Sequence, residues 1–237
     1  KDVILLKKKQ NYVFNLRKCW LEGTTNNEIF ETLFNSAHGH NKIYWLAFGY
    51  TGSGKTYTIN SLIQNLFKKY SEYKITASCY QIYNKQIYDV LNLNKKIVYR
   101  KASNLVLNNL TKKFLSPNEL FTTIEKARAH ASTTVNKASS RSHLILRLEV
   151  NNRIFTLVDL AGQEVGKTAA QNNYTTHQEA VQINLSLLSL KECIRAIANN
   201  SNHVPYRRST LTMALKPMFK TENCSAMVCT LYPKYIH

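Results

Sequence analysis

The chain has 237 residues, 44% hydrophobic and 19% charged, which suffices for a real core and is too apolar for compositional disorder. Lys and Arg number 32 against 14 Asp and Glu, and the net charge of +18 asks for an anionic partner: a phosphate ligand, an acidic protein surface, nucleic acid or anionic lipid. The longest apolar run, Ile43 to Phe48, is too short to cross a bilayer, and no charged-then-apolar leader opens the chain at Lys1. Five scattered cysteines without a C-x-x-C exclude a zinc ribbon or thioredoxin-like site and fit a reduced compartment. The pair His38 and His40, with no further ligands nearby, reads as a solvated loop. The expectation is one soluble, basic domain spanning residues 1–237.

In chain order, Ile43 to Phe48 reads as a buried strand, followed by Ile59, Leu62, Ile63, Leu66 and Phe67 at helical spacing. Ile75 to Tyr83 is rich in β-branched and aromatic residues and reads as a strand. Ser116-Pro117-Asn118-Glu119 combines an N-cap serine, a proline at the first helical position and a capping-box glutamate. His143 to Val150 alternates, and Arg153 to Val158 is an apolar strand ending at Asp159. Thr176 and Glu179 read as the cap of a long helix whose Ala180, Ile183, Leu187, Leu190, Ile194 and Ile197 form a buried stripe. Its opposite face is left for a partner. Ser209 opens a last helix that Pro217 should stop or kink. Alternating strand and helix signals predict an α/β fold around one central sheet.

The sharpest motif is Gly49-Tyr50-Thr51-Gly52-Ser53-Gly54-Lys55-Thr56, a G-x-x-x-x-G-K-[ST] between an apolar strand and an amphipathic helix. Its glycines let backbone N–H groups wrap phosphates, and the helix N-terminus adds partial positive charge. Lys55 is expected on the β- and γ-phosphates, and the Thr56 hydroxyl on Mg²⁺. Leu157-Val158-Asp159-Leu160-Ala161-Gly162 supplies the second acid: Asp159 would hold Mg²⁺ through water while the Gly162 N–H senses the γ-phosphate. Asn136-Lys137-Ala138-Ser139-Ser140-Arg141-Ser142-His143 places two hydroxyls and an arginine before a strand. It suits a loop closing on the γ-phosphate and equally a serine-rich turn.

Together and in this order, the three motifs resemble the kinesin motor domain, matching its phosphate loop, switch I (N-x-x-S-S-R-S-H) and switch II (D-L-A-G-x-E). The stretches Ile82 to Leu91, Ile183 to Leu190 and His203 to Arg207 are similar to the family's E-I-Y-N-E-x-I-Y-D-L-L, I-N-x-S-L-x-x-L and H-[VI]-P-[YF]-R. The resemblance covers roughly Tyr12 to Pro233. It implies a P-loop NTPase motor fold, a central, mostly parallel β-sheet flanked by helices on both faces, that binds ATP or ADP with Mg²⁺ and hydrolyses ATP on microtubules. It also implies roles for single residues. Ser140 would be a Mg²⁺ ligand beside Thr56 and Asp159, Ser139 a γ-phosphate contact, and Tyr57 the residue packed on adenine. Arg141 and Glu164 would pair to shut the switches, with Glu164 accepting a proton from the attacking water through a relay. Lys191, Arg195, His203, Tyr206, Arg207, Arg208 and Lys216 would face acidic tubulin. Neither nucleic acid nor membrane is expected as a partner. The place of action would be the cytoplasmic microtubule cytoskeleton, the spindle included.

The chain departs from the family pattern in several places. No counterpart of the first strand with its R-x-R-P segment precedes Lys1, and the final helix after Pro233 is missing. Tyr50 stands for the usual Gln, Gln163 for Ser or Thr, and Val165 for Arg, while the stretch from Thr58 to Tyr73 is short. Lys191-Glu192-Cys193-Ile194-Arg195-Ala196 resembles a segment of the kinesin-13 group, motors that depolymerise microtubules from their ends instead of walking. The group's Lys-Val-Asp loop has no counterpart here. A motor that walks along the lattice, and a kinesin-fold protein that binds microtubules without hydrolysis, are the alternatives.

Overall fold

A computed structural model describes residues 2–7, 10–21, 23–97, 110–131, 140–163 and 174–231. The strands are β1 (Asp2–Lys7), β2 (Gln10–Asn15), β3 (Lys42–Gly49), β4 (Thr76–Tyr83), β5 (Gln86–Asp89), β6 (Lys95–Ile97), β7 (Lys113–Phe114), β8 (His143–Val150), β9 (Arg153–Asp159) and β10 (Cys224–Thr230). The helices are α1 (Asn26–Ser36), α2 (Lys55–Lys69), α3 (Pro117–Ala131), α4 (Tyr174–Ala198) and α5 (Thr210–Ala214). β1 and β2 form a separate two-stranded antiparallel sheet.

The central sheet has eight strands in the order β10-β3-β9-β8-β4-β5-β6, with β7 paired beside β4. β10, β3 and β9 are mutually parallel, and every other pairing in this sheet is antiparallel. Five of the eight strands (β10, β3, β9, β4 and β6) point the same way. The expected parallel character is therefore concentrated in the half that carries the phosphate loop. The β4–β5 hairpin closes through Asn84 and Lys85 with φ of 46° and 62°, the left-handed pair of a tight two-residue turn.

Both faces of the sheet are buried, which explains the near-continuous apolar run of β3. Ile43, Trp45 and Ala47 point into a core shared with α1, α2 and α3 through Phe30, Leu33, Ile59, Leu62 and Leu120. Tyr44 and Leu46 point into a second core with Ile183, Leu187 and Leu190 of α4 and Leu211 and Leu215 beyond. Phe155 of β9 lies at the centre of the first core, its ring centroid 6.3 Å from Phe34, 5.5 Å from Trp45 and 5.9 Å from Tyr70. Arg153, two residues earlier on the same face, lays its guanidinium 5.0 Å from the Phe34 ring and 5.1 Å from that of Phe155. It also donates to the carbonyls of Ala37 and His40, at 2.9 and 3.3 Å, and to the Tyr70 hydroxyl, at 3.1 Å. A cation thus caps the C-terminal end of α1, where carbonyls lack helical partners.

Two of the expected helix starts are found. The Ser116 hydroxyl accepts from Glu119 N–H while Glu119 accepts from Ser116 N–H, ahead of α3. Ser209 makes the same exchange with Thr212 at α5, which ends at Ala214 before a 3₁₀ turn, Lys216–Phe219, that takes in Pro217. The expected cap at Thr176 is corrected: α4 begins at Tyr174, so Thr176 and Glu179 lie inside it. The buried stripe is also corrected at one position, since Cys193 is buried and Ile194 is 37% exposed. All five cysteines are free thiols.

Candidate active site

β3 delivers the phosphate loop at its C-terminal end, and α2 leaves it at Lys55. The helix N-cap is Gly54 at φ +97°, a conformation that a side chain would strain, and no side chain caps the helix. The first-turn N–H groups of α2 are therefore free of any capping side chain, the arrangement that suits an anion at a helix N-terminus. Ser53 braces the loop by donating to the Tyr50 carbonyl at 2.8 Å and meeting the Thr230 hydroxyl of β10 at 2.6 Å. Lys55 is buried, its ammonium donating to the carbonyls of Gly49 at 3.0 Å and Tyr50 at 2.7 Å. Tyr57 is exposed beside the loop.

The parallel pairing of β3 with β9 sets Ala47 opposite Asp159, so the acid emerges beside the loop. The Thr56 hydroxyl donates to the Asp159 carboxylate at 2.7 Å. An all-oxygen pair of hydroxyl and carboxylate at the mouth of a phosphate loop is the donor chemistry Mg²⁺ requires, and these residues fit the ion. Just beyond, Gly162 packs against Thr51 so tightly that a Cβ there would lie 2.0 Å from Thr51 Oγ1 and 2.9 Å from its backbone N. The Gly162 N–H donates to the Ser140 carbonyl at 3.1 Å, tying the start of switch II to the end of switch I.

Ser140 and Arg141 form a short turn ahead of β8. Arg141 Nη1 lies 2.5 Å from the Glu179 carboxylate of α4, and the Tyr83 hydroxyl donates to that carboxylate from the end of β4. Burial, then this bond, push the Tyr83 hydroxyl up to about 12. The pairing expected between Arg141 and Glu164 cannot be placed, because Glu164 and Ser139 lie outside the described residues. The T-x-x-E spacing predicts a helix cap at Glu179, whereas the structure makes it the partner of Arg141 from inside α4. The signal that was present is a polar track, Glu179, Gln182, Ser186 and Ser189, running beside the apolar stripe at helical spacing.

The residues expected at tubulin separate into two sets. Arg195, His203, Arg207, Arg208 and Lys216 are exposed. Arg208 pairs with Glu192 of α4, and Lys216 lies 5.7 Å from the ring of the half-buried Tyr206. Lys191 is half-buried, with its ammonium 5.5 Å from the Phe48 ring, so it does not stand on the outer face with Arg195. The middle of that outer face is apolar: Val181, Leu185 and Leu188 are between 41% and 49% exposed.

The model of the kinesin motor domain family matches residues 2–237. Among curated proteins, Kinesin-like protein KIF24 of Mus musculus is 31% identical over 257 residues, covering 95% of this chain and 19% of that protein. Kinesin-like protein KIN-13B of Arabidopsis thaliana is 31% identical over 216 residues, covering 79% of this chain and 32% of that protein. The chain therefore spans between about a fifth and a third of the length of these relatives. A solved structure described as that of a fast kinesin superposes with a TM-score of 0.76 at 25% identity, covering 99% of this chain and 81% of that one. With a sequence match from residue 2 to residue 237 and a superposition over nearly the whole fold, the chain belongs to the kinesin motor domain family.

Proposed function

We propose that this domain is a Mg²⁺-dependent ATPase stimulated by microtubules, and that it depolymerises them from their ends in the manner of kinesin-13. The bond from Thr56 to Asp159 carries the chemical part, since it joins phosphate loop and switch II at 2.7 Å beside the buried Lys55. Thr56, Ser140 and, through water, Asp159 would hold Mg²⁺, which supplies charge neutralisation between the phosphates. Lys55 and the α2 N-terminus bind the phosphates, the Gly162 N–H exchanges the Ser140 carbonyl for the γ-phosphate when nucleotide is bound, and Tyr57 packs on the base. Ser139 and Arg141 close over the nucleotide, and Glu164 takes up the proton of the attacking water. Phosphoryl transfer needs positioning and charge stabilisation more than a covalent residue, and this set supplies both. The kinesin-13 part rests on the Lys191 to Ala196 segment and on the likeness to KIN-13B.

ATPase assays with and without microtubules test the first part. Lys55→Ala is expected to lose nucleotide binding, whereas Glu164→Ala binds ATP and hydrolyses it slower by about 100-fold or more. Parental turnover in Glu164→Ala would remove that residue from the chemistry. Microscopy of surface-held microtubules tests the second part: shortening at the ends supports it, and gliding replaces it with a walking motor.

The tubulin face proposed here is apolar at Val181, Leu185 and Leu188 and basic at Arg195, Arg207 and Lys216. Charge reversal at Arg195 and Arg207 together is expected to weaken microtubule binding by about tenfold, the worth of two exposed ionic contacts. It should also flatten the salt dependence of binding, because exposed charges are screened within about 8 Å at physiological ionic strength. Cosedimentation across a salt series reads both effects. An unchanged salt slope would place the tubulin contact elsewhere.

A further inference from the structure

His143 appears in the switch I motif, but the site as derived gives it no task. It opens β8 and is 3% exposed, between the end of β9 and α4. Its Nδ1 lies 3.0 Å from the backbone N–H of Ala161, which donates to it. An imidazole nitrogen that accepts an N–H carries no proton, so the ring proton sits on Nε2. Nε2 is 2.8 Å from Ser186 Oγ of α4, and the Ser186 hydroxyl donates to the Ile183 carbonyl at 2.7 Å. Every donor in this chain is thereby assigned: amide to imidazole, imidazole to hydroxyl, hydroxyl to helix carbonyl. Burial pushes the ring's pKa down to about 4, which keeps it neutral and preserves that polarity.

The position of Ala161 gives the chain its use. It precedes Gly162, whose N–H is bonded to Ser140 and whose Cα packs on Thr51 of the phosphate loop. A shift of the Leu160–Ala161 peptide must therefore carry the imidazole with it or break a buried hydrogen bond. On α4, Ser186 lies two helical turns from Glu179, the partner of Arg141, on the side that meets β8. Arg141 and His143 are thus two polar clamps on one helix, and among the described residues His143 is the one that also holds switch II.

We propose that His143 is a positioning residue that couples the Leu160–Ala161 peptide, which leads into Gly162, to α4 through Ser186, so that microtubule contact on α4 is passed to switch II through this pair of side chains. This rests on the reading of the chain as a microtubule-stimulated ATPase. The link needs no charge change and no movement of the phosphate loop itself.

Ser186→Ala breaks the link from the helix side and touches no residue of the nucleotide site. It is expected to lower the microtubule-stimulated rate by about tenfold, the worth of a buried hydrogen bond. The basal rate and microtubule cosedimentation should stay at parental values. His143→Asn keeps an acceptor for the Ala161 N–H but is too short to reach Ser186. The double variant should therefore lose no more stimulation than either single one. Histidine-ring ¹H–¹⁵N spectra give a readout independent of turnover, with His143 protonated on Nε2 alone and that signal displaced by Ser186→Ala. Full stimulation in Ser186→Ala, equal losses of basal and stimulated rates, additive losses in the double variant, or a proton on Nδ1 would each overturn the coupling. A parental domain that microtubules do not stimulate would instead overturn the functional reading and the coupling with it.

Discussion

Gly162→Ala is expected to lower ATP turnover by about 100-fold while leaving the fold intact, on the scale of the penalty for misplacing a reacting group by about 1 Å. The added methyl would sit 2.0 Å from Thr51 Oγ1, a contact that rotation of the threonine relieves. It would also sit 2.9 Å from the Thr51 backbone N and 3.1 Å from its Cα, and no rotamer relieves those. Either the phosphate loop or the end of β9 must give way, and the bond from Gly162 N–H to Ser140 shifts with it. Nucleotide binding, turnover and thermal melting on the same variant separate the outcomes. Parental turnover would mean that loop and switch slide past each other freely.

Phe155→Ala is expected to cost about 3–5 kcal/mol, the usual penalty for a fully buried aromatic residue. Phe155 is 0% exposed and touches Phe34, Trp45 and Tyr70, which belong to α1, β3 and the end of α2. Removing it also takes away one of the two rings beneath the Arg153 guanidinium. Against a typical total stability of about 5–15 kcal/mol, this is a large fraction. Urea denaturation should show a lower midpoint with an unchanged slope. A loss below about 1 kcal/mol would mean that the core closes over the gap.

The elements legible in the sequence were those whose signal is local. β3 and α2 are a buried run and a helical stripe joined by a motif, and the start of α3 is a capping box within four residues. β10 was missed because Cys224 to Thr230 mixes small, polar and apolar residues, and its strand character comes from pairing with β3. Glu179 was misread because T-x-x-E is a capping pattern wherever it falls, while its true partner, Arg141, is distant in sequence. Lys191, which the resemblance sets at tubulin with Arg195, is half-buried instead. Phe48 at the end of β3 offers the ammonium a ring, and sequence does not show that neighbour. The motif residues themselves were legible at once, though not what His143 holds on either side.

Arg153 bears on how this fold comes apart. Helix ends usually fray, and their amide protons exchange with solvent through small local openings. The last turn of α1 is instead bonded through Arg153 to β9 and to the end of α2, three segments far apart along the chain. Opening that turn means giving up the guanidinium's hydrogen bonds to its carbonyls and disturbing its seat over two aromatic rings. The C-terminal end of α1 therefore belongs to the same cooperative unit as the central strand beneath it, and its amides exchange when that strand does.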